Sequence, residues 1–154
     1  MRRVLVGCVG NVLRGDDGFG PAVAGRLSLP AGAKVVETGI GGIALLQELM
    51  TGWDGLVIVD AVDSGAAPGT VTSTVPDVAE AVHVPDVHLA NPQRVLSTAK
   101  GLGVLPERIV IVGCQPSDVD ALGEGLSPPV ERGVEIAARQ VERTVRGWLE
   151  DAAA

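Results

Sequence analysis

The sequence predicts an α/β protein, a three-layer αβα sandwich in which helices cover both faces of a mixed, mostly parallel five-stranded sheet. Two features lead to this prediction. Short apolar runs rich in Val and Ile alternate along the chain with segments whose apolar residues recur at helical spacing. Hydrophobic residues make up 46% of the chain but aromatic residues only 2%, so the core must be built from Val, Leu, Ile and Ala.

Four apolar runs predict strands, at 3–8, 34–38, 55–62 and 108–114. Their apolar residues are continuous instead of alternating, which is typical of strands buried on both faces of a parallel sheet. A fifth run, 69–75, alternates polar and apolar residues and follows the turn-rich loop DSGAAPG. We expect it to form an edge strand that runs antiparallel to the third strand and makes the sheet mixed.

Helices are predicted over 21–27, 43–50, 92–101 and 128–149. The last has the most regular pattern, because Ser127 stands at the N-cap position before Pro128 and the apolar residues that follow form one stripe. No linker, repeat or low-complexity segment divides the chain. We therefore expect a single domain over residues 1–150 and a frayed tail over 151–154.

The charge of the chain argues against a nucleic-acid partner. Its formal net charge is -7 and no basic run occurs, whereas phosphate binding relies on clustered Lys and Arg. No segment reaches the ~20 apolar residues needed to span a membrane, so we expect a soluble cytoplasmic protein. Cys8 and Cys114 each end an apolar run, where a small buried residue is common, and we assign neither a nucleophilic nor a disulfide role.

Acidic residues follow the first predicted strand and lie near the end of the third. Asp16 and Asp17 lie in GNVLRGDDGFGP after the first strand, and Asp60 follows the four apolar residues LVIV of the third. The loops that follow parallel strands share one edge of the sheet, where ligands bind, and His88 of PDVHLANP can reach the same edge. Two carboxylates and one imidazole suit a borderline divalent ion such as nickel, zinc or manganese.

Each of these residues also has an ordinary structural interpretation. Asp17 could cap the helix that begins near Gly18, Asp60 could be a solvated turn residue, and His88 could face solvent. Asp16 fits the role of a capping or loop partner. We favour a shared site because separate loops converge on it.

Other known kinds of site fit this edge less well. A dinucleotide or P-loop site is excluded because GCVGNVLRGDDG contains neither G-x-G-x-x-G nor G-x-x-x-x-G-K-[ST]. A signalling receiver domain also gathers acids after strands one and three, but the last strand here ends in GCQPSD without the lysine that contacts the phosphoryl group. A non-catalytic receiver-like or metal-sensing binding module is the alternative to an enzyme.

Five blocks of the sequence resemble those of the hydrogenase maturation endopeptidases. VLVGCVGNVLRGDDGFGP is similar to the family's N-terminal signature, a strand followed by G-N-x-L-x-x-D-[DE]-x-x-G, and LVIVDAVDSGAAPG is similar to its second block. HLANPQRVL resembles the histidine block, and VGCQPSD and GLSPPVE resemble the closing blocks. The resemblance covers nearly the whole chain and is most specific in the first two blocks.

The resemblance implies an aspartyl-type peptidase that removes the C-terminal extension from the large-subunit precursor of a nickel–iron hydrogenase. The nickel belongs to the unprocessed substrate, with zinc or cadmium as possible mimics, and the side chains of the enzyme recognise it. Carried over residue by residue, the metal-contacting and catalytic positions fall on Asp17, Asp60 and His88.

The same resemblance implies a set of substrate-binding residues in the loops after the first two strands: Asn11, Asp16, Glu37, Gly39, Gly41 and Gly42. Glu37 and Ile40 depart from the family pattern, which usually has Asp and then Thr or Ser at these places. Because we expect this loop to contact the substrate, the departures indicate a different precursor partner. We do not expect a loss of activity, because all three metal-contacting positions keep suitable side chains.

Overall fold

The computed structural model describes residues 2–39, 42–78, 92–117 and 123–151. Its strands are β1 (Val4–Val9), β2 (Ala33–Gly39), β3 (Gly55–Ala61), β4 (Val71–Thr74) and β5 (Arg108–Cys114). Its helices are α1 (Phe19–Ala24), which follows a 3₁₀ turn at Gly15–Gly18, then α2 (Ile43–Leu49), α3 (Pro92–Gly101) and α4 (Pro128–Asp151). All the predicted elements occur, and α3 and β5 have the predicted bounds.

The five strands form one sheet in the order β2-β1-β3-β5-β4. The first three and β5 are parallel, and β4 is antiparallel to β5, so the predicted fold class is confirmed. The expected neighbour of β4 is wrong, because β5 lies between β3 and β4. The apolar side chains of β5 are buried more fully at an interior position of the sheet. Thr72, Ser73 and Thr74 of β4 are exposed and suit the edge of a sheet.

Each face of the sheet packs against two helices, because successive strand side chains point to opposite faces. On the α1/α4 face these helices cover a cluster that includes Val6, Val57 and Val112. On the α2/α3 face the other two helices cover a cluster that includes Leu56 and Ile58. The continuous apolar runs of the sequence are therefore strands that supply both cores.

Helix α1 begins two residues earlier than predicted and lies very close to the sheet at Gly20. A Cβ atom at this position would lie 2.2 Å from the carbonyl oxygen of Val9 and 2.9 Å from that of Val59. Only a residue without a Cβ atom allows this approach. The contact holds the preceding acidic turn against the carboxyl ends of β1 and β3.

Helix α4 continues through Asp151, the first residue of the predicted frayed tail. The Asp151 Oδ2 atom accepts a hydrogen bond of 2.9 Å from Arg108 Nη1, which ties the end of the helix to the start of β5. Residues 152–154 lie outside the described ranges, and the single domain stays a prediction. None of the helices in the described ranges is long and apolar enough to cross a membrane.

Candidate active site

The candidate site lies at the carboxyl ends of β1 and β3, which are parallel neighbours. From β1 the chain continues to β2 on one side of this pair, and from β3 it continues toward the strands on the other side. The strand order therefore reverses between β1 and β3, which opens a crevice of the kind that binds ligands in α/β proteins. Asp17 follows β1 and Asp60 stands near the end of β3, so both belong to this crevice.

Asp17 is half-buried in the 3₁₀ turn and is fixed by the loop before it. Its Oδ2 atom accepts a hydrogen bond of 3.0 Å from the Asn11 backbone N–H, and Asn11 Oδ1 accepts one of 2.9 Å from the Leu13 N–H. Gly10 makes this fold-back possible: its φ is +144°, and a Cβ atom there would lie 1.9 Å from the Asp17 carbonyl oxygen. The N-cap residue of α1 is Gly18, without a side-chain cap, so the interpretation of Asp17 as a helix cap is wrong.

Asp60 is half-buried, and its side chain lies on the α2/α3 face. Burial and, to a smaller extent, the negative charge of Asp17 raise the pKa of Asp60 from its ordinary value of 3.8 to about 7, although a hydrogen bond from the Ala61 backbone N–H opposes the rise. A solvated turn aspartate would keep an ordinary pKa. The carboxylate of Asp60 is therefore costly to ionise where it stands.

The structure brings together two of the three predicted metal-contacting side chains. Asp17 and Asp60 lie close enough for the charge of one to shift the pKa of the other. His88 lies outside the described residues, and within the described ranges no group of three His, Cys, Asp or Glu residues is placed to hold a metal ion. The described part of the site is thus a carboxylate pair, and carboxylate oxygens are suitable ligands for a divalent cation.

Asp16, next in sequence to Asp17, points into the protein and is only 2% exposed. Its Oδ2 atom accepts hydrogen bonds of 2.8 Å from both the Ser117 backbone N–H and the Ser127 hydroxyl. Its Oδ1 atom accepts one of 2.7 Å from the Ser127 backbone N–H. The Asp16 carboxylate therefore joins the loop after β1 to the loop after β5 and to the start of α4. This agrees with its interpretation as a loop partner, and contact with a substrate stays a prediction.

Gln115, which the sequence analysis did not single out, supports the loop that follows Asp60. Its side chain is buried; Oε1 accepts a hydrogen bond of 2.7 Å from the Ser64 N–H, and Nε2 donates one of 3.1 Å to Asp63 Oδ1. The one feature of the sequence that pointed to Gln115 is its position as a polar residue directly after the apolar run IVIVGC. Its partners are far away in sequence, so the pattern of β5 alone gave no reason to choose it.

Comparison with known proteins identifies the family. The model of the HycI hydrogenase maturation proteases matches residues 22–144, which is more than half of the chain. This protein belongs to the hydrogenase maturation protease family. The role of that family is the C-terminal processing of the hydrogenase large subunit.

Relatives of this protease cover almost its whole length. The hydrogenase expression/formation protein HupD of Rhodobacter capsulatus is 34% identical over 153 residues, which are 95% of this chain and 72% of that protein. The structure of the hydrogenase maturating endopeptidase HybD from E. coli has a TM-score of 0.79 and 30% identity, and the match covers 94% of this chain and 93% of that one. The maturation protease HycI from Thermococcus kodakarensis has a TM-score of 0.72 and 26% identity, with 94% and 92% covered. These matches support an endopeptidase and not a receiver-like or metal-sensing module.

In this protease Glu37 lies on the opposite face of the sheet from Asp60. It is exposed, stands opposite Cys8 in the β1–β2 register, and lines a cleft beside Pro21 and Gly25 at the α1 helix. That cleft is on the α1/α4 face. The structure does not bring Glu37 together with the carboxylate pair, and its role in substrate binding stays a prediction.

The glycine-rich loop after β2 is only partly described. Gly39 ends β2, and Ile40 and Gly41 lie outside the described residues. Gly42 is buried directly before α2 with a φ of -76°, so this position does not require a positive φ. Its carbonyl oxygen accepts a hydrogen bond of 3.0 Å from the Leu46 N–H, which makes it the start of the helix. Substrate binding by these glycines stays a prediction.

Both cysteines of the protease are buried free thiols at the ends of β1 and β5. Burial raises the pKa of Cys8 to about 12 and the pKa of Cys114 to about 11. A thiol is nucleophilic only as the thiolate, and at neutral pH these groups stay protonated. The expectation that neither cysteine is a nucleophile agrees with this geometry.

Proposed function

We propose that this protein removes the C-terminal extension from the large-subunit precursor of a nickel–iron hydrogenase, and that it does so only after nickel has been inserted. The observation that carries the proposal is the pair formed by Asp17 and Asp60, in which the pKa of Asp60 rises to about 7. Two carboxylates held together in a partly buried crevice repel each other. A divalent cation delivered by the substrate would relieve that repulsion.

The nickel is treated as part of the substrate, bound to the precursor before the protease meets it. Asp17 and Asp60 supply two oxygen ligands from the protease, and His88 is proposed as the third ligand on the basis of its family block. Because the ligands come from two proteins, affinity between them depends on the metal. Incomplete precursors then bind weakly and keep their extension. Zinc or cadmium, which accept similar ligands, are proposed as mimics.

The proposed reaction is the hydrolysis of one peptide bond. A water oxygen forms a bond to the scissile carbonyl carbon, the carbon–nitrogen bond breaks, and the leaving nitrogen takes up a proton. A carboxylate of the Asp17–Asp60 pair accepts the proton of the water and returns it to that nitrogen. The substrate-borne metal polarises the carbonyl group.

Since both cysteines are buried free thiols, the cytoplasm is the proposed compartment.

The test is a cleavage assay on the nickel-loaded and the nickel-free precursor, with the masses of both products measured. Wild-type protein should trim only the loaded precursor. Asp60→Asn should abolish trimming, because an amide binds a divalent ion far less well than a carboxylate and cannot act as a base. Asp17→Asn and His88→Ala should reduce trimming strongly.

The matched control is Asp151→Asn, which removes one carboxylate at the opposite end of the sheet, where Asp151 pairs with Arg108. This variant should trim at the wild-type rate. Equal trimming of loaded and nickel-free precursor would refute the dependence on nickel. Normal trimming by Asp60→Asn would refute the proposed site.

A further inference from the structure

Two adjacent apolar side chains, Val12 and Leu13, are exposed close to the carboxylate pair. The exposed fraction is 49% for Val12 and 56% for Leu13. They form the tip of the loop that joins β1 to the 3₁₀ turn containing Asp17, and we call them the Val12–Leu13 tip. Single exposed apolar residues are common on protein surfaces, but these two are neighbours at the edge of a site. Neither side chain has a part in the proposed metal recognition or proton transfer.

Hydrogen bonds on both sides of the Val12–Leu13 tip fix its backbone. On one side the Asn11 N–H donates to Asp17 Oδ2 at 3.0 Å, and Asn11 Oδ1 accepts from the Leu13 N–H at 2.9 Å. On the other side the Leu13 carbonyl oxygen accepts a hydrogen bond of 2.9 Å from the Gly123 N–H. A mobile loop could fold its apolar side chains against the protein. Because this backbone is held, the two side chains stay turned to solvent.

The Val12–Leu13 tip lies within reach of any protein that brings a metal ion to Asp17. Asp17 Oδ2 is 3.0 Å from the Asn11 backbone nitrogen, a metal–oxygen bond is about 2 Å long, and successive Cα atoms are about 3.8 Å apart. The Cα atoms of Val12 and Leu13 are therefore at most about 13 and 16 Å from an ion bound by Asp17. A typical interface buries about 800 Å² on each partner, a patch of about 16 Å in radius. A partner that holds the ion at the centre of such a patch reaches the tip.

We propose that the Val12–Leu13 tip docks into an apolar recess on the folded, retained part of the large-subunit precursor, next to the metal. This inference rests on the proposed function and names a surface by which the protease holds its substrate. The retained part is the occupant because it carries the ion, so its surface around the ion faces the tip. Burial of the two apolar side chains favours the complex, and a tip that is already fixed loses little freedom on binding.

The experiment changes the polarity of the tip and keeps its size. Leu13→Gln and Val12→Thr each make one side chain polar, whereas Leu13→Met keeps position 13 apolar. Leu102→Gln is the matched control, because Leu102 is also 56% exposed and lies between α3 and the amino end of β5, at the opposite edge of the sheet from the acids. Thermal unfolding checks that each variant folds. The rise in Tm on addition of zinc should equal that of wild type in all four, because the carboxylate pair is unchanged.

Cleavage of the nickel-loaded precursor measures the contribution of the tip. Leu13→Gln should lower kcat/KM by about fivefold to tenfold, the loss expected when one partly exposed Leu no longer buries its side chain. The loss should lie in KM, with kcat unchanged, because the tip does not touch the reacting atoms. Val12→Thr should show a smaller loss of the same kind. Leu13→Met and Leu102→Gln should cleave as wild type does.

Photo-cross-linking identifies the part of the precursor that contacts the tip. Leu13 and, in a separate variant, Leu102 are each replaced by benzoylphenylalanine, an apolar residue that forms covalent cross-links under light. With the nickel-loaded precursor, position 13 should cross-link to a peptide of the retained part, identified by mass spectrometry. Position 102 should give no cross-link.

The inference alone is overturned if wild-type protein cleaves the loaded precursor but Leu13→Gln loses no more kcat/KM than Leu102→Gln or Leu13→Met. A cross-link from position 13 to the released extension would also overturn it. A wild-type dimer in analytical ultracentrifugation that becomes a monomer on Leu13→Gln would assign the tip to a second copy of this chain instead. Failure of wild-type protein to cleave the loaded precursor would refute the proposed function, and this inference with it.

Discussion

Replacing Asp60 with Asn is expected to stabilise the folded protein at alkaline pH while it abolishes processing. The physical reason is the raised pKa of Asp60, about 7 in place of 3.8, which burial and the charge of Asp17 cause. Above pH 7 the folded state must hold an ionised carboxylate that the unfolded chain exposes to water. Asparagine has nearly the same shape and no charge, so it removes this cost.

The magnitude follows from the pKa of Asp60, which is about 3 units higher in the folded state than in the unfolded state. This difference corresponds to about 4 kcal/mol at about 1.36 kcal/mol per pKa unit. This figure is an upper limit, because burying the amide costs about 1–3 kcal/mol itself. We expect a net gain of about 1–3 kcal/mol, or roughly 3–8 °C in Tm for a chain of this size.

The pH dependence has a definite sign. The native state holds the Asp60 proton between pH 3.8 and about 7, where the unfolded state has lost it. The contribution of Asp60 to stability is therefore fully present below pH 3.8 and is lost as the pH rises through about 7. The difference in Tm between Asp60→Asn and wild type should be small at pH 4 and largest at pH 8.

Thermal unfolding at pH 4 and pH 8 measures this effect, with Asp151→Asn as the control for loss of an exposed carboxylate. A divalent ion such as zinc, added at pH 8, should raise the Tm of wild type more than that of Asp60→Asn. A Tm for Asp60→Asn at pH 8 equal to or below that of wild type would show that Asp60 is not an electrostatic cost in the folded state.

Two further changes test the support of the site. Asp16→Ala should destabilise the protein by about 2–4 kcal/mol in urea unfolding, because three hydrogen bonds lose their charged acceptor. A decrease in the free energy of unfolding of less than about 1 kcal/mol would contradict the role of Asp16 in joining the two loops and α4. Gly20→Ala should cost about 3 kcal/mol or more, since its Cβ would overlap the backbone of Val9. Gly147→Ala is its control in α4, where a Cβ meets nothing within 4 Å, and should stabilise by about 0.5–1 kcal/mol.

The sequence alone gave a good prediction of the elements and of the acidic crevice. The run RIVIVGC gave the bounds of β5, and the apolar spacing after Pro92 gave those of α3. Asp17 and Asp60 could be placed together because loops after parallel strands meet at one edge of a sheet. The order of parallel strands along the chain is enough to bring these two loops together, whatever contacts the side chains make.

The tertiary structure decided everything that depends on direction or on distant partners. Adjacent residues in a 3₁₀ turn point about 120° apart, so the Asp16 carboxylate is buried against Ser117 and Ser127, whereas Asp17 lies close enough to Asp60 to raise its pKa. No pattern in GDDG distinguishes the two.

The sequence pattern also does not predict which strands are neighbours or which face of the sheet a side chain occupies. The alternation in β4 predicts an edge strand but not its neighbour, because β5, which separates it from β3, comes later in the chain. A side chain in a strand changes face with each residue, so Glu37 lies on the opposite face from Asp60 although their loops share one edge. The sequence determined which residues form the strands and which edge carries the acids, and long-range packing determined which carboxylates meet.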